Sequence, residues 1–417
     1  MNLRLPAICF SAASIGLSIV LVSTAKLLLF ITALLVLLGS FRGPNACPGA
    51  ERGKTPFIVR TILLVLAVMA TSLLWTTAPP DDALGSLAKY GKLLVIPLFW
   101  VVVQTRREAL FGLAAFFVAQ LFLVVSSWLL VARVPIPWAT SNMAVQEYAV
   151  FSSYLDQGIM GALFAALCWQ LRGYFPSRFG PWIAVFISLM TLCNVFFILS
   201  GRSGHVVAVA LISMSIMWEL PRRYRLGAVF VPFLLISVLM VTPGKLRDRM
   251  SLVSTEVQSY RADQPAVSSS GIRLGLWTSS LSLVAKHPVL GSGIGSWSTE
   301  YNRLQKSRNP QHIDVVGNWN PHQEYLLWGV QFGVAGPLLL LGLFAATVAD
   351  TRSMKLHEAR AAQLAVVALV VASLFNSSLY DAFIGDFFCI TIAVLLALGR
   401  QFKAQTCSIK PVPLVST

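Results

Sequence analysis

Residues 109–131 read ALFGLAAFFVAQLFLVVSSWLLV, twenty-three consecutive positions without a charge. A helix rises about 1.5 Å per residue, so the run is long enough for the ~30 Å hydrocarbon core of a bilayer. Arg106 and Arg107 stand just before it and Arg133 just after. A helix apolar on every face and stopped by charge at both ends is a membrane span rather than a soluble, amphipathic one.

The same pattern recurs on either side. Apolar runs lie near 5–23, 25–41, 57–78, 84–104 and 147–170, then 181–199, 204–219, 226–243, 324–348, 361–379 and 383–399. Ser23-Thr24-Ala25 is cleavage-site-like, but loss of the first run would leave the orientation of the others unchanged. The chain of 417 residues is 56% hydrophobic and 12% charged, about half the charge of a soluble domain. The expected fold is an all-α polytopic bundle of about twelve membrane helices with one large loop between the ninth and tenth spans. Three parts follow: spans 1–9 over 1–243, a loop domain with short helices over 244–323, and spans 10–12 with a C-terminal tail over 324–417.

Basic residues in the connections set the orientation. One side receives Arg4, then Arg42, Arg52 and Lys54, Arg106 and Arg107, Arg172 and Arg178, and Arg222, Arg223 and Arg225. It also receives Arg352, Lys355 and Arg360, then Arg400, Lys403 and Lys410. The short connections opposite hold Lys26, Arg133 and Arg202 beside Asp81, Asp82, Asp381 and Asp386. Both termini are therefore expected in the cytoplasm and the 244–323 loop outside; its own basic residues do not count against this, because long loops cross largely regardless of charge.

Several function classes drop out. The net charge of +15 has no basic recognition helix or aromatic-interleaved face behind it, so nucleic acid is not an expected partner. Cys9, Cys47, Cys168, Cys193, Cys389 and Cys407 show no metal-ligand spacing and none lies in the outward loop, which leaves neither a zinc site nor a disulfide framework. Gly291-Ser292-Gly293-Ile294-Gly295 lacks the GxGxxG spacing and any following GK[ST], so it reads as a flexible turn and no cofactor is expected.

The informative residues gather at the outward starts of helices. Ser200-Gly201-Arg202-Ser203-Gly204 is a tight turn opening the eighth span, where exposed N–H groups, the positive helix end and Arg202 suit a phosphate. An interfacial arginine reaching lipid headgroups would look the same. Ser270-Gly271-Ile272-Arg273 opens a loop helix running to about Lys286, with Leu274, Trp277, Leu281 and Val284 at helical spacing. A cation in a first turn is locally unfavourable, so Arg273 makes better sense if an anion completes the site. Asn320-Pro321-His322-Gln323 reads as N-cap, N1, N2 and a capping-box N3 at the start of the tenth span. That fixes His322 at the outer boundary, where the helix dipole favours the neutral imidazole a general base needs. His205, one turn from Arg202, is a supporting candidate, while His357 falls on the cytoplasmic side. Lys89, Lys92, Arg133 and Tyr148 share the outward side only by placement.

In order, these elements resemble the O-antigen ligase/polymerase superfamily of bacterial membrane proteins. The resemblance rests on Ser200–Gly204 after an apolar span, Arg273 followed by Trp277, and His287-Pro288-Val289-Leu290-Gly291-Ser292-Gly293-Ile294-Gly295. His322-Gln323-Glu324-Tyr325-Leu326 and Gly333-Val334-Ala335-Gly336 complete it. Gln323 stands where members of the family often have Asn. The resemblance implies transfer of a polymeric glycan from undecaprenyl diphosphate to a sugar of lipid A–core. His322 would take the acceptor proton, Arg202 and Arg273 would hold the diphosphate, and His205, Gln323 and Tyr325 would stand behind them. No metal is required by this scheme. The expected site faces the periplasm from the inner membrane, with membrane lipids as the remaining partners.

Two other readings use the same features. An O-antigen polymerase would join repeat units on the same carrier, and the identity of the glycosylated acceptor separates it. A lipid-linked sugar transporter would need ionisable groups near mid-span, for which Lys89, Lys92, Glu147 and Asp156 are the nearest residues.

Overall fold

The computed structural model describes residues 3–41, 55–225, 227–241, 269–317 and 319–401, and these residues are helical without a strand. In chain order the helices are α1 (Arg4–Ser14), α2 (Ile19–Phe41), α3 (Phe57–Thr71), α4 (Pro80–Tyr90), α5 (Val95–Val102) and α6 (Arg106–Val131). They continue with α7 (Asn142–Glu147), α8 (Tyr154–Gln170), α9 (Gly180–Cys193), α10 (Arg202–Glu219), α11 (Val231–Val241) and α12 (Ser269–Lys286). The last five are α13 (Trp297–Arg308), α14 (Glu324–Phe332), α15 (Ala335–Asp350), α16 (Leu356–Ser373) and α17 (Ala382–Gly399).

Among the described residues, 7 segments are long and apolar enough to cross a membrane. The chain is a multi-pass membrane protein, and α9 shows its lipid-facing character: Trp182, Phe186 and Leu189 are all exposed. The other expected spans correspond to α10, which matches in length but is less apolar, and to shorter or broken helices. The run 5–23 is not one span, because α1 ends at Ser14 and the chain turns through Gly16, at φ +82. α2 then runs back along α1, with Ser11 Oγ donating to Ala25 O at 3.4 Å. Lys26 is accordingly not in an outer connection but inside α2, where it pairs with Asp386 at 2.8 Å. The run 324–348 is also divided. Gly333, at φ +62, ends α14, and α15 folds back so closely that a Cβ on Gly336 would meet Trp328 O at 2.2 Å.

α17 is the centre of the bundle, buried along nearly its whole length and packed by α16, α5 and α6. α8 and α10 lie side by side in the same direction, and small residues let them touch. A Cβ on Gly204 would stand 2.7 Å from the Gly158 carbonyl carbon, and one on Gly201 2.9 Å from Tyr154 O. This register puts the two N-termini at one level.

The Gly291–Gly295 segment is an ordered clamp rather than a flexible turn. Ser292 N donates to Val330 O at 2.9 Å, Gly293 N to Gln331 O at 2.9 Å, and Ile294 N to Ser72 Oγ at 3.1 Å. On its other side Thr77 N donates to Ser292 O at 3.0 Å and Thr76 Oγ1 to Ile294 O at 2.7 Å. Gly293 has φ +84 and sits where a Cβ would come within 2.3 Å of Thr76 Cα, so glycine is required there by both conformation and space.

Candidate functional site

Four polar segments meet at the end of the bundle where α8, α10, α14 and α17 begin. Ser153 caps α8, accepting from Asp156 N at 3.1 Å, and so places Tyr154 at its first position. Arg202 is the first residue of α10, and its Nη1 donates to Ser270 Oγ at 3.2 Å, joining α10 to the start of α12. Arg273, in the second turn of α12, lies within electrostatic reach of Arg202, Tyr154 and His322. Asp381 is the N-cap residue of α17 but makes no side-chain cap bond; its carboxylate accepts from Asn320 Nδ2 at 3.2 Å instead.

His322 is placed differently from the sequence expectation. Gln323, not Asn320, caps α14, its Oε1 accepting from Leu326 N at 2.6 Å. His322 precedes the cap and sits at φ +52, a left-handed conformation that costs a non-glycine residue roughly 1–3 kcal/mol. The Asn320 side chain accepts from His322 N at 2.8 Å, so it closes a local turn. Trp277 Nε1 donates to Pro321 O at 3.1 Å and ties that turn to α12. The segment is therefore a strained corner aimed by three hydrogen bonds rather than a continuous helix start.

The electrostatics follow from burial and from these neighbours. Burial pushes the His322 imidazole below the usual histidine value; Arg273 pushes the same way, and Asp381 and a hydrogen bond with Asn376 push back. Neutral imidazole at pH 7 is thus set mainly by desolvation rather than by a helix dipole. Burial also lowers Arg273, and the Arg202 charge adds to the effect. Arginine stays charged regardless, so two like charges are held together beside helix N-termini that are themselves positive. Asp381 is raised by burial, against His322, Lys92 and Lys89, which stabilise its charge.

A buried framework stands behind Asp381. Glu324, 0% exposed, receives Tyr90 OH at 3.0 Å and Trp328 Nε1 at 2.8 Å on one oxygen. Its other oxygen receives Leu379 N at 2.9 Å and Tyr380 N at 3.2 Å. Lys92 Nζ donates to Asp381 O at 2.7 Å, and Lys89 lies 4.1 Å over the Tyr380 ring. Glu324 follows the His322 turn directly in sequence and also grips the backbone just before Asp381, so one carboxylate fixes both.

The supporting candidates separate. His205 Nδ1 pairs with Gly201 O at 2.7 Å and holds the Arg202 turn in shape, while Ser200 Oγ donates to Glu147. Gln323 is a helix cap. Tyr325 points away from the site: its hydroxyl donates to Val370 O at 3.1 Å and its ring packs on Phe344. Arg133 is exposed at the end of α6, and the Tyr148 carbonyl accepts from Ser127 Oγ at 2.8 Å. Asp386 belongs to Lys26. On α12 the buried face is Leu276, Ser280 and Leu283, and Leu281 is 58% exposed.

Asp381, Asn320, Asn376, Tyr154 and Glu324 carry weight that motif reading did not give them. Asp381 precedes an apolar run, as a helix cap does, and only its missing cap bond reveals another task. Among the described residues no group of three or more His, Cys, Asp or Glu forms a metal site.

These features define a multi-pass membrane protein with a half-buried cationic and imidazole site at one end of its bundle. A family model described as O-antigen ligase matches residues 184–341, which supports membership of the O-antigen ligase superfamily. The matched stretch contains Arg202, Arg273 and His322. Searched against curated proteins, the chain has no match.

Proposed function

We propose that the protein is an O-antigen ligase, transferring a polymeric glycan from undecaprenyl diphosphate to a sugar hydroxyl of lipid A–core. The observation that carries this is the proximity of Arg202, at the start of α10, and Arg273, in the second turn of α12, beside a neutral histidine. Two guanidiniums in that setting are mutually unfavourable until an anion arrives, and a diphosphate supplies the matching charge and bidentate oxygens. The family match supports a lipid-linked glycan as the donor class.

In this reading His322 accepts the acceptor hydroxyl's proton as that oxygen attacks the anomeric carbon. The bond from that carbon to the diphosphate breaks, and the leaving charge falls to Arg202 and Arg273. Asp381 stabilises the imidazolium that forms. A single displacement inverts the anomeric centre, and the residues given roles here leave no step to a metal or nucleotide. The site would face the periplasm from the inner membrane, with about twelve spans, cytoplasmic termini and the 244–323 loop as a cover; the alternation of basic residues supports this orientation.

Reconstitution tests the proposal. Purified protein is mixed with undecaprenyl-diphosphate glycan and lipid A–core, without nucleotide and with chelator, and the products are resolved on a gel. Glycan on lipid A–core is the expected result. Longer glycan left on the carrier would mean a polymerase, and donor moved across liposomes without transfer would mean a transporter.

A further inference from the structure

An apolar cavity lies away from the site. A groove of about 350 Å³ runs between α8, α9 and α10, with an almost wholly apolar lining that includes Ala166, Trp169, Leu189, Leu211 and Ile216. It reaches Glu219 and Leu220, at the end of α10 opposite Arg202. Eighteen helical residues separate the two ends of α10, or about 27 Å.

The mouth of the groove is basic. Arg172 lies 4.4 Å over the Trp169 ring and 3.9 Å from Glu219, and Arg360 reaches Glu219 at 3.8 Å. Arg225 donates to Leu220 O at 3.3 Å, and Arg222 and Arg223 are exposed one turn beyond the groove. Glu219 is the carboxylate at this mouth, since the nearby Glu358 is paired with Arg106 at 2.7 Å. The Trp169 ring lines the groove, while its indole N–H is covered by protein and has no hydrogen-bond partner among the described residues.

We propose that this groove is a binding site for one anionic phospholipid, with an acyl chain between α8, α9 and α10 and the phosphate on the arginines around Glu219. A hydrocarbon tail alone explains the apolar lining but not the positive mouth. An isoprenoid carrier anchored by its diphosphate at Arg202 would enter from the far end. Basic pockets at the ends of membrane helices bind anionic headgroups. The proposal is independent of the transfer reaction.

Full-length protein, purified in detergent and stripped of lipid, is titrated with phosphatidylglycerol or phosphatidylethanolamine of the same acyl composition and read by native mass spectrometry. One phosphatidylglycerol is expected to stay bound, with phosphatidylethanolamine retained about tenfold less well. Ala166→Phe, which fills the groove, removes the bound lipid. Arg222→Gln with Arg223→Gln, both exposed, narrows the preference between the two headgroups. Equal retention of the two lipids by the wild-type protein overturns the proposal. So does an unchanged complex in Ala166→Phe, or displacement of phosphatidylglycerol by undecaprenyl phosphate.

Discussion

Where α17 finishes, cations meet helix C-termini: Arg400 donates to Trp100 O at 3.0 Å and Val103 O at 2.9 Å, closing α5, and Arg106 donates to Leu398 O at 3.2 Å. A carboxylate meets a helix N-terminus, Asp350 accepting from Phe57 N and Ile58 N at 2.9 Å each. Where α17 begins, the pattern reverses. Arg202 stands at a helix start with Arg273 within its electrostatic reach from the second turn of α12, Asp381 declines to cap its own helix, and His322 holds a left-handed backbone. Neither end is uniform, since Arg106 opens α6 at the first and Asp156 and Glu324 sit in first turns at the second. What sets the second apart is that its departures gather around one set of side chains, as at a site shaped for a ligand rather than for stability.

The sharpest way to break this contrast is His322→Ala. General-base loss lowers transfer by about 10²–10⁴-fold while the protein still inserts and accumulates, because alanine keeps the Cβ of this left-handed position and removes only a half-buried ring. Glycan ligation in cells lacking the native enzyme, normalised to protein level, reads this directly. Undiminished activity would remove the proposed base.

Arg202→Ala and Arg273→Ala come next, with transfer down about 10²–10³-fold for each. The contrast makes a second demand of them. Removing one of two neighbouring positive charges at a helix start leaves the melting temperature unchanged or higher, whereas Arg400→Ala strips two carbonyls of their donor and lowers it. Thermal unfolding in detergent compares the three. Equal destabilisation by all of them would mean that both ends are structural.

The pH profile follows from His322. Burial and Arg273 hold its pKa below the ordinary value of about 6.5, and the base form exists above that pKa. Transfer should hold at pH 7 and fall only as pH drops below about 6.5. Asp381 supplies a charge that raises the imidazole, so Asp381→Asn moves the acid limb to still lower pH, with a smaller rate loss than His322→Ala. A limb that stays in place would separate Asp381 from the histidine.

Much of this was legible in sequence and part was not, for physical reasons. Apolar runs such as 109–131 report membrane helices because lipid imposes a length, and Arg202, Arg273 and His322 stood out because charge at a helix start is unusual. Hydropathy cannot see a turn made inside an apolar run. Gly16 and Gly333 each reverse the chain within what reads as one span, and so move Lys26 from a connection to a helix. Glu324 was hidden differently: its partners Tyr90, Leu379 and Tyr380 are distant in sequence, and a buried carboxylate satisfied by four donors looks like any polar residue beside a helix cap.

The smallest effect belongs to the conforming end. Asp350 caps α3 from another helix, so Asp350→Ala leaves Phe57 N and Ile58 N without their acceptor. Loss of a capping carboxylate costs typically about 1 kcal/mol. The site lies at the other end of the same bundle, and rigid spans transmit little of so local a loss. Transfer per folded molecule should therefore match wild type while thermal unfolding shifts downward. A variant equally stable but slower in transfer would show that the two ends are coupled, and the division between a stabilising end and a reacting end would have to be abandoned.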